Sequence, residues 1–281
     1  MATISSVNGK KITKIKVNSE IFDVGGGSDF NLLQYIIDNH KGDGQPSGDY
    51  LFYEYWGSSL DDAISSCDFS GIISAKEMFY DCKNLTSVPY FNTSNVTQMG
   101  NMFYACENLE NDINFVLSNV DDLNNAFNNC VKIKNIHLSD TQKATDFSNT
   151  FAYCKSLLSI SPLNTNKTTR ISGMFRDCYL LTAIDLTHMK ITSAYYSQEF
   201  AYNCYSLTKL IIRNMDTIPT LNSNAFNNCY HFTGTTSPTY NPDGLKDGRI
   251  YVPDDKVEEL KVATNWSVYA DIIVPLSTLV E

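Results

Sequence analysis

The sequence predicts an α/β repeat fold: a solenoid of short stacked units between a small N-terminal module and a C-terminal helical cap. Three observations predict it. Seven of the eight cysteines, Cys82, Cys106, Cys130, Cys154, Cys178, Cys204 and Cys229, are separated by 24, 24, 24, 24, 26 and 25 residues. Each closes a short phrase opened by a phenylalanine, and each is followed three residues later by an apolar side chain. Within a unit the apolar spacing changes from helical to extended, so each unit holds two kinds of local structure.

The repeat is explicit in the residues. Met78-Phe79-Tyr80-Asp81-Cys82 returns as Met102-Phe103-Tyr104-Ala105-Cys106. Shorter copies pair Phe127 with Cys130, Phe151 with Cys154, Phe175 with Cys178 and Phe226 with Cys229. In the sixth copy, Phe200 to Cys204, one extra residue is read between Phe and Cys. The apolar residues three past each cysteine are Leu85, Leu109, Ile133, Leu157, Leu181, Leu207 and Phe232. Six past come Val88, Ile136, Ile160, Ile184 and Leu210, while Asp112 and Thr235 break the rule.

Val96, Met99, Met102, Phe103 and Cys106 fall at i, i+3, i+6, i+7 and i+10, which predicts a helical stripe. Leu181 to Leu186 is short and rich in branched apolar residues, and predicts a strand. One helical turn and one strand in each unit is leucine-rich-repeat geometry, whose period runs about 20–29 residues. A single unit cannot bury its apolar face, so neighbours must stack and their Phe, Cys, Leu and Ile form continuous ladders.

The phrase at 78–88, Met-Phe-x-x-Cys-x-x-Leu-Thr-x-Val, resembles the BspA-like leucine-rich repeats of bacterial surface proteins, and the resemblance runs over roughly residues 68–275. It implies a right-handed parallel solenoid with its sheet on the concave side, and a role in adhesion or binding. It implies no catalytic residue.

Residues 1–48 do not repeat and are read as an attachment or oligomerisation module with a linker. Lys11 to Val17 alternates apolar and polar residues, and Glu20 to Val24 continues the pattern, which predicts a hairpin. Asp29 can cap a helix through Leu32, Leu33, Ile36 and Ile37, and residues 41–48 read as a flexible linker. The phrase Val-Asn-Ser-Glu-Ile-Phe-Asp-Val-Gly-Gly-Gly at 17–27 is similar to N-terminal anchors of tailed-phage structural proteins. Residues 49–248 then form the solenoid, about seven repeats, opened by a first coil over residues 50–69, and residues 249–281 the cap. In that cap Arg249 to Val252 reads as the last strand, Asp255 and Glu258 are spaced like a capping box, and Trp266 reads as a covering side chain.

Composition narrows the function. A formal net charge of −10 argues against a nucleic-acid partner, since phosphate binding needs clustered Lys and Arg. The N-terminus has no apolar signal region, and no apolar run approaches the ~18 residues of a membrane span. The expectation is a protein made in the cytoplasm, without membrane insertion, that works on a virion or an extracellular surface. No C-x-x-C occurs, so the cysteines are read as small buried hydrophobes rather than as a zinc site or a disulfide framework.

No catalytic constellation is found. The four histidines are scattered, no Walker-type glycine phrase occurs, and paired acids such as Asp121-Asp122 and Asp254-Asp255 read as helix starts. No cofactor, metal or catalytic residue is expected. What remains is surface. Positions five and seven past each cysteine alternate with the buried ones, giving a candidate concave face of Ser87, Asn111, Ile113, Asn135, His137, Ser159, Ser161, Asp185, Lys209 and Ile211. Tyrosines at 80, 104, 153, 179, 202, 205 and 230 lie on the helical side, as recognition surface or as filler. The function expected is non-enzymatic binding of a protein or a cell-surface glycan, with homo-oligomer or particle attachment through residues 1–48. The alternatives are a structural virion decoration or an intracellular scaffold.

Overall fold

The computed structural model describes residues 71–280, except 89 and 91, and before them only the backbone of five short strands. Of these, β1 (Thr3–Ile4), β2 (Lys14–Val17) and β3 (Glu20–Asp23) form an antiparallel sheet in that order. Lys14 faces Asp23 and Val17 faces Glu20, which is the hairpin expected from the alternation. β4 (Lys41–Gly42) pairs antiparallel with β5 (Gln45–Pro46), so the stretch read as a linker contains a tight hairpin. The expected helix over residues 29–37, the opening coil over 50–69 and Cys67 lie outside the described residues.

From residue 71 onward, chain segments about one repeat apart lie parallel. β6 (Ile113–Val116), β7 (Asn135–Ser139) and β8 (Ser159–Ile160) form one parallel sheet in sequence order. β9 (Ala183–His188), β10 (Lys209–Asn214), β11 (Arg249–Val252) and β12 (Ile273–Pro275) form a second, also parallel and in sequence order. β11, read as the last strand, is therefore followed by another. β8 stops after two residues because Pro162 lacks the N–H that a ladder needs, and pairing resumes as a single bridge from Leu163 to Leu186. One core runs along the repeats: every repeat phenylalanine, cysteine and third-following apolar residue from Phe79 to Phe232 is fully buried.

The segment read as helical is not a helix. In each repeat the Met-Phe-x-x-Cys stretch is a run of three-residue turns, and left-handed residues recur four apart, at Glu77/Asp81, Asn101/Ala105, Asn125/Asn129, Asn149/Tyr153 and Glu199/Asn203. Each left-handed residue reverses the winding, so only alternate N–H groups point back along the chain. In the third repeat Ala126, Asn128 and Cys130 donate locally to Leu123, Asn125 and Phe127. The residues between them, Asn125, Phe127 and Asn129, donate instead to Ser148, Thr150 and Ala152 of the next repeat. A true helix would spend all its amides internally and leave none for its neighbour. Asn, Asp and Gly tolerate the left-handed region best, and they hold most of these sites. At Gly173 (φ 60°) a Cβ would stand 2.2 Å from Asn149 Oδ1, so a larger residue there would have to displace the Asn149 side chain.

Hydrogen bonding also corrects the sixth repeat. Phe127 and Phe151 donate their N–H to Thr150 and Met174, the residues four before the next cysteine. Phe175 donates to Phe200, which is likewise four before Cys204, and Ala201 donates to Ala225. Phe200 therefore sits where the other repeats carry Met, Ala or Thr, and Ala201 where they carry Phe. There is no inserted residue between the phenylalanine and the cysteine; the large and small side chains have exchanged places. The ring stack registers the exchange. Phe79, Phe103, Phe127, Phe151 and Phe175 stack nearly face to face at 5.0–5.9 Å, whereas Phe200 meets Phe175 and Phe226 edge-on at 80° and 84°.

Past the seventh phrase come two short α-helices, α1 (Tyr230–Thr233) and α2 (Val257–Val262). α2 begins without a side-chain cap, so the capping box of Asp255 and Glu258 does not form; Asp254 Oδ1 instead accepts the Ser277 N–H at 3.0 Å. Leu260 and Trp266 are fully buried, and the Trp266 indole donates to the Pro219 carbonyl at 2.8 Å. The segment Leu276–Thr278 packs back against β10 and β11.

Candidate functional site

The outward side of β6–β8 and its neighbours carries the residues singled out from the sequence, and the structure divides them. Asn135 and His137 alternate with buried Ile136 and Leu138 along β7, so both point outward, and His137 is exposed. Ser87 is half-buried and Ser159 exposed. Asn111 is committed to structure: its amide accepts the Val88 N–H at 3.2 Å and donates to the Val88 carbonyl at 3.0 Å. Ser161 does the same for Leu138, accepting its N–H and donating to its carbonyl, each at 2.9 Å. Asn135 donates to Asp112 and accepts from Ser159, each at 2.9 Å.

Two members of the predicted face are buried. Ile113 is 2% exposed and stands in register with Ile136, six past its own cysteine, so it occupies the inward position. The cause is a one-residue slip in the second repeat, which a strand turns into a change of face. Asp112, the apparent rule-breaker, is thereby exposed, and Asn114 lies opposite His137. Ile211 does point away from the core, between Leu210 and Ile212, yet it is only 7% exposed. Its register neighbours are Asp185 and Tyr251, and Asp185 is held by Arg213 through contacts of 2.6–3.2 Å. Lys209 is half-buried beside Arg249 in the same register.

The slip leaves a groove. A depression of about 190 Å³ is lined by Tyr90, Asn114, Val116, His137, Ser139 and Ser161 over the backbone of Phe115 and Leu138. A smaller one of about 70 Å³ shares Tyr90 and Asn114 with it and reaches Asn111, Asp112 and Ile113. Together they cross the strands rather than follow one. Tyr90 is 66% exposed and Val116 36% exposed, an aromatic and an aliphatic surface beside amide, imidazole and hydroxyl groups. Of the predicted face, Asn111, Ile113, His137 and Ser161 border this groove. Tyr90, Asn114 and Val116 were not foreseen; Asp112 in an apolar slot is the sequence signal for the slip that places Asn114 there.

The turn side is filled differently. Tyr80 stacks on Tyr104 at 4.8 Å, and Tyr205 stacks on Tyr179 and Tyr230 at 4.8 and 5.1 Å, with Tyr240 against it. Burial, reinforced by these neighbours, pushes the Tyr205 hydroxyl up to about 12. Arg176 lies over Tyr153 and Tyr202 at 5.2 and 6.0 Å and pairs with Glu199 at 2.7 Å. Ring faces used in this way are spent on one another, which makes these tyrosines filler. Asp121-Asp122 starts no helix: Asp122 Oδ1 accepts the Asn124 N–H at 2.8 Å in a local turn.

The cysteines have one shared task. Each thiol from Cys106 to Cys204 donates to the carbonyl of a preceding phenylalanine, as Cys106 does to Phe79 at 3.0 Å and Cys154 to Phe127 at 3.2 Å. Cys229 donates to Ala201, the residue in the exchanged position, at 3.1 Å. Cys106 to Cys229 are all free thiols and buried, as Cys82 is buried, and burial pushes the Cys154 thiol up to about 12. Among the described residues no group of three or more His, Cys, Asp or Glu is placed to hold a metal ion, and no helix is long and apolar enough to cross a membrane.

Comparison with known proteins accords with the BspA-like repeat. A crystal structure of a leucine rich cell surface protein from Faecalibacterium prausnitzii A2-165 is similar at 14% identity over 94% of this chain and 85% of that one. Its TM-score is 0.31. No curated protein matches the chain. The family model described as "Mycoplasma protein of unknown function, DUF285" matches residues 49–158 and again 121–238. Together these stretches span residues 49–238, more than half of the sequence, and the chain belongs to that family.

Proposed function

We propose that the chain is a non-enzymatic binding protein of adhesion type, a right-handed leucine-rich-repeat solenoid closed by its C-terminal segment, which engages a partner surface through the outward side of its parallel sheet. The observation that carries this reading is the groove across β6–β8, where exposed Tyr90 and Val116 stand beside the amide of Asn114 and the imidazole of His137. Elsewhere in the repeats the aromatic residues are stacked and the thiols are buried donors with raised pKa, a poor setting for a nucleophile. Residues 1–48 would then serve attachment or oligomerisation, and placement on a virion or an extracellular surface belongs to the same reading.

The test is binding of fluorescently labelled protein to intact cells of the source organism and of species sharing its habitat. Saturable binding by the full chain, kept by a fragment of residues 49–281, is the expected result. Absence of binding to all of them would favour a structural decoration or spacer instead.

A further inference from the structure

We infer that the groove between Tyr90 and Ser161 takes a neutral, extended oligosaccharide lying across the strands, an inference that rests on the binding role proposed above and names its ligand class. Three properties of the groove select this occupant. The first is its direction. It crosses segments from Val88 through β6 and β7 to Ser161, and at a strand separation of about 4.8 Å it spans roughly 14 Å. That suits a linear chain of a few sugar rings running along the stack.

The second property is chemistry. Tyr90 offers an aromatic face, 66% exposed, on which the C–H face of a pyranose ring can lie. Asn114, His137 and Ser139 offer amide, imidazole and hydroxyl groups suited to hydroxyl pairs, and a few placed polar groups on an apolar floor are what orient a ligand. Among the described residues no Lys or Arg lines either part of the groove, and the smaller part includes the Asp112 carboxylate. A sulfated or uronate-bearing chain would meet that carboxylate with no cation among the lining residues.

The third property is what the groove withholds. Its floor is the face of a sheet whose main-chain groups are already paired between β6, β7 and β8. A peptide strand laid across these paired strands could not add to their ladder there. At about 190 and 70 Å³ the depressions are also too small to enclose a helix, whose diameter is about 10 Å.

The experiment uses the full chain on an immobilised array of neutral linear gluco-, manno- and N-acetylglucosamine oligosaccharides, printed beside sialylated, uronate-containing and sulfated ones. Retention on at least one neutral series, strengthening as the chain lengthens from one ring to about three, is expected. Tyr90→Ala should lower that retention by about tenfold or more, while Tyr195→Ala, which removes a tyrosine 72% exposed outside the groove, should not. Both side chains are exposed, so neither substitution should unfold the protein, and thermal denaturation checks this. A blank array, retention confined to the acidic probes, or retention unaffected by Tyr90→Ala would each overturn the inference. A blank array with saturable cell binding intact would overturn the glycan assignment alone, whereas loss of both would remove the binding role with it.

Discussion

The thiol of Cys130 lies 3.1 Å from the carbonyl oxygen of Phe103, one repeat before it, and donates its proton there. The same oxygen also accepts the N–H of Cys106 at 3.1 Å, so the contact ties two neighbouring repeats to one buried acceptor. Cysteine suits the site because it is small and apolar enough for the core and still carries a donor. Replacing Cys130 by alanine should cost about 1–3 kcal/mol, from the lost sulfur volume and the lost donor together. Serine keeps a donor, so Cys130→Ser should cost less than Cys130→Ala in urea denaturation. The reverse order would show the thiol to be an apolar filler only.

Buried thiols also set a pH dependence. Burial raises the pKa of Cys106, Cys130, Cys154, Cys178, Cys204 and Cys229, with Cys154 at about 12. Unfolded cysteine titrates near 8.5, so above that pH the unfolded chain releases protons that the folded chain keeps. A raised folded pKa means stability that is complete below about pH 8.5 and lost as pH rises toward the folded values, by ~1.4 kcal/mol per pH unit for each thiol. Denaturation midpoints measured from pH 7 to 11 should be level at first and then fall steeply. A flat profile to pH 11 would contradict the burial of the ladder.

Phe200 and Ala201 offer a packing test. Ala201→Phe places a second ring beside one already present and should cost about 1–3 kcal/mol, and Phe200→Ala should cost about 3–5 kcal/mol. The double exchange restores the order of the other repeats and conserves volume, so it should be much less harmful than the sum of the two. A double-mutant cycle in guanidinium measures the coupling, expected to exceed about 1 kcal/mol. Simple additivity would mean that the two side chains do not share one space.

The left-handed positions predict small effects of opposite sign. Ala105 (φ 58°) and Asn129 (φ 62°) occupy the same place in successive repeats. A Cβ-bearing residue in this region costs ~1–2 kcal/mol, least for Asn, which bonds locally. Ala105→Asn should therefore raise stability, and Asn129→Ala lower it, each by about 0.5–1 kcal/mol in matched thermal melts.

The ladders were legible in the sequence because a repeat copies its core. Phe, Cys and the apolar residue three beyond recur in register, and all of them are buried. The local backbone was less legible. The apolar spacing from Val96 to Cys106 fits a helix, but the Asn, Asp and Gly residues four apart were the better guide, since they fix left-handed turns that a periodicity count ignores. The outward face of the sheet was half legible. Alternation placed Asn135, His137 and Ser161 correctly, but it could not carry the register across Asp112, where one residue of slip sends Ile113 inward and brings Asn114 beside His137. Ile211 shows a second gap, because strand alternation gives the side of the sheet and not what covers it.

The most direct test of the binding role is a titration of labelled full-length protein onto intact cells with one charged variant on each side of the fold. Asn114→Glu with His137→Glu places two carboxylates in the groove, and Tyr195→Glu places one on the turn side, at a tyrosine 72% exposed. The account predicts that the groove variant, still folded by thermal melt, loses saturable binding by about tenfold or more while the Tyr195 variant keeps it. Equal binding by all three proteins, or loss only in the Tyr195 variant, would contradict recognition through the sheet face.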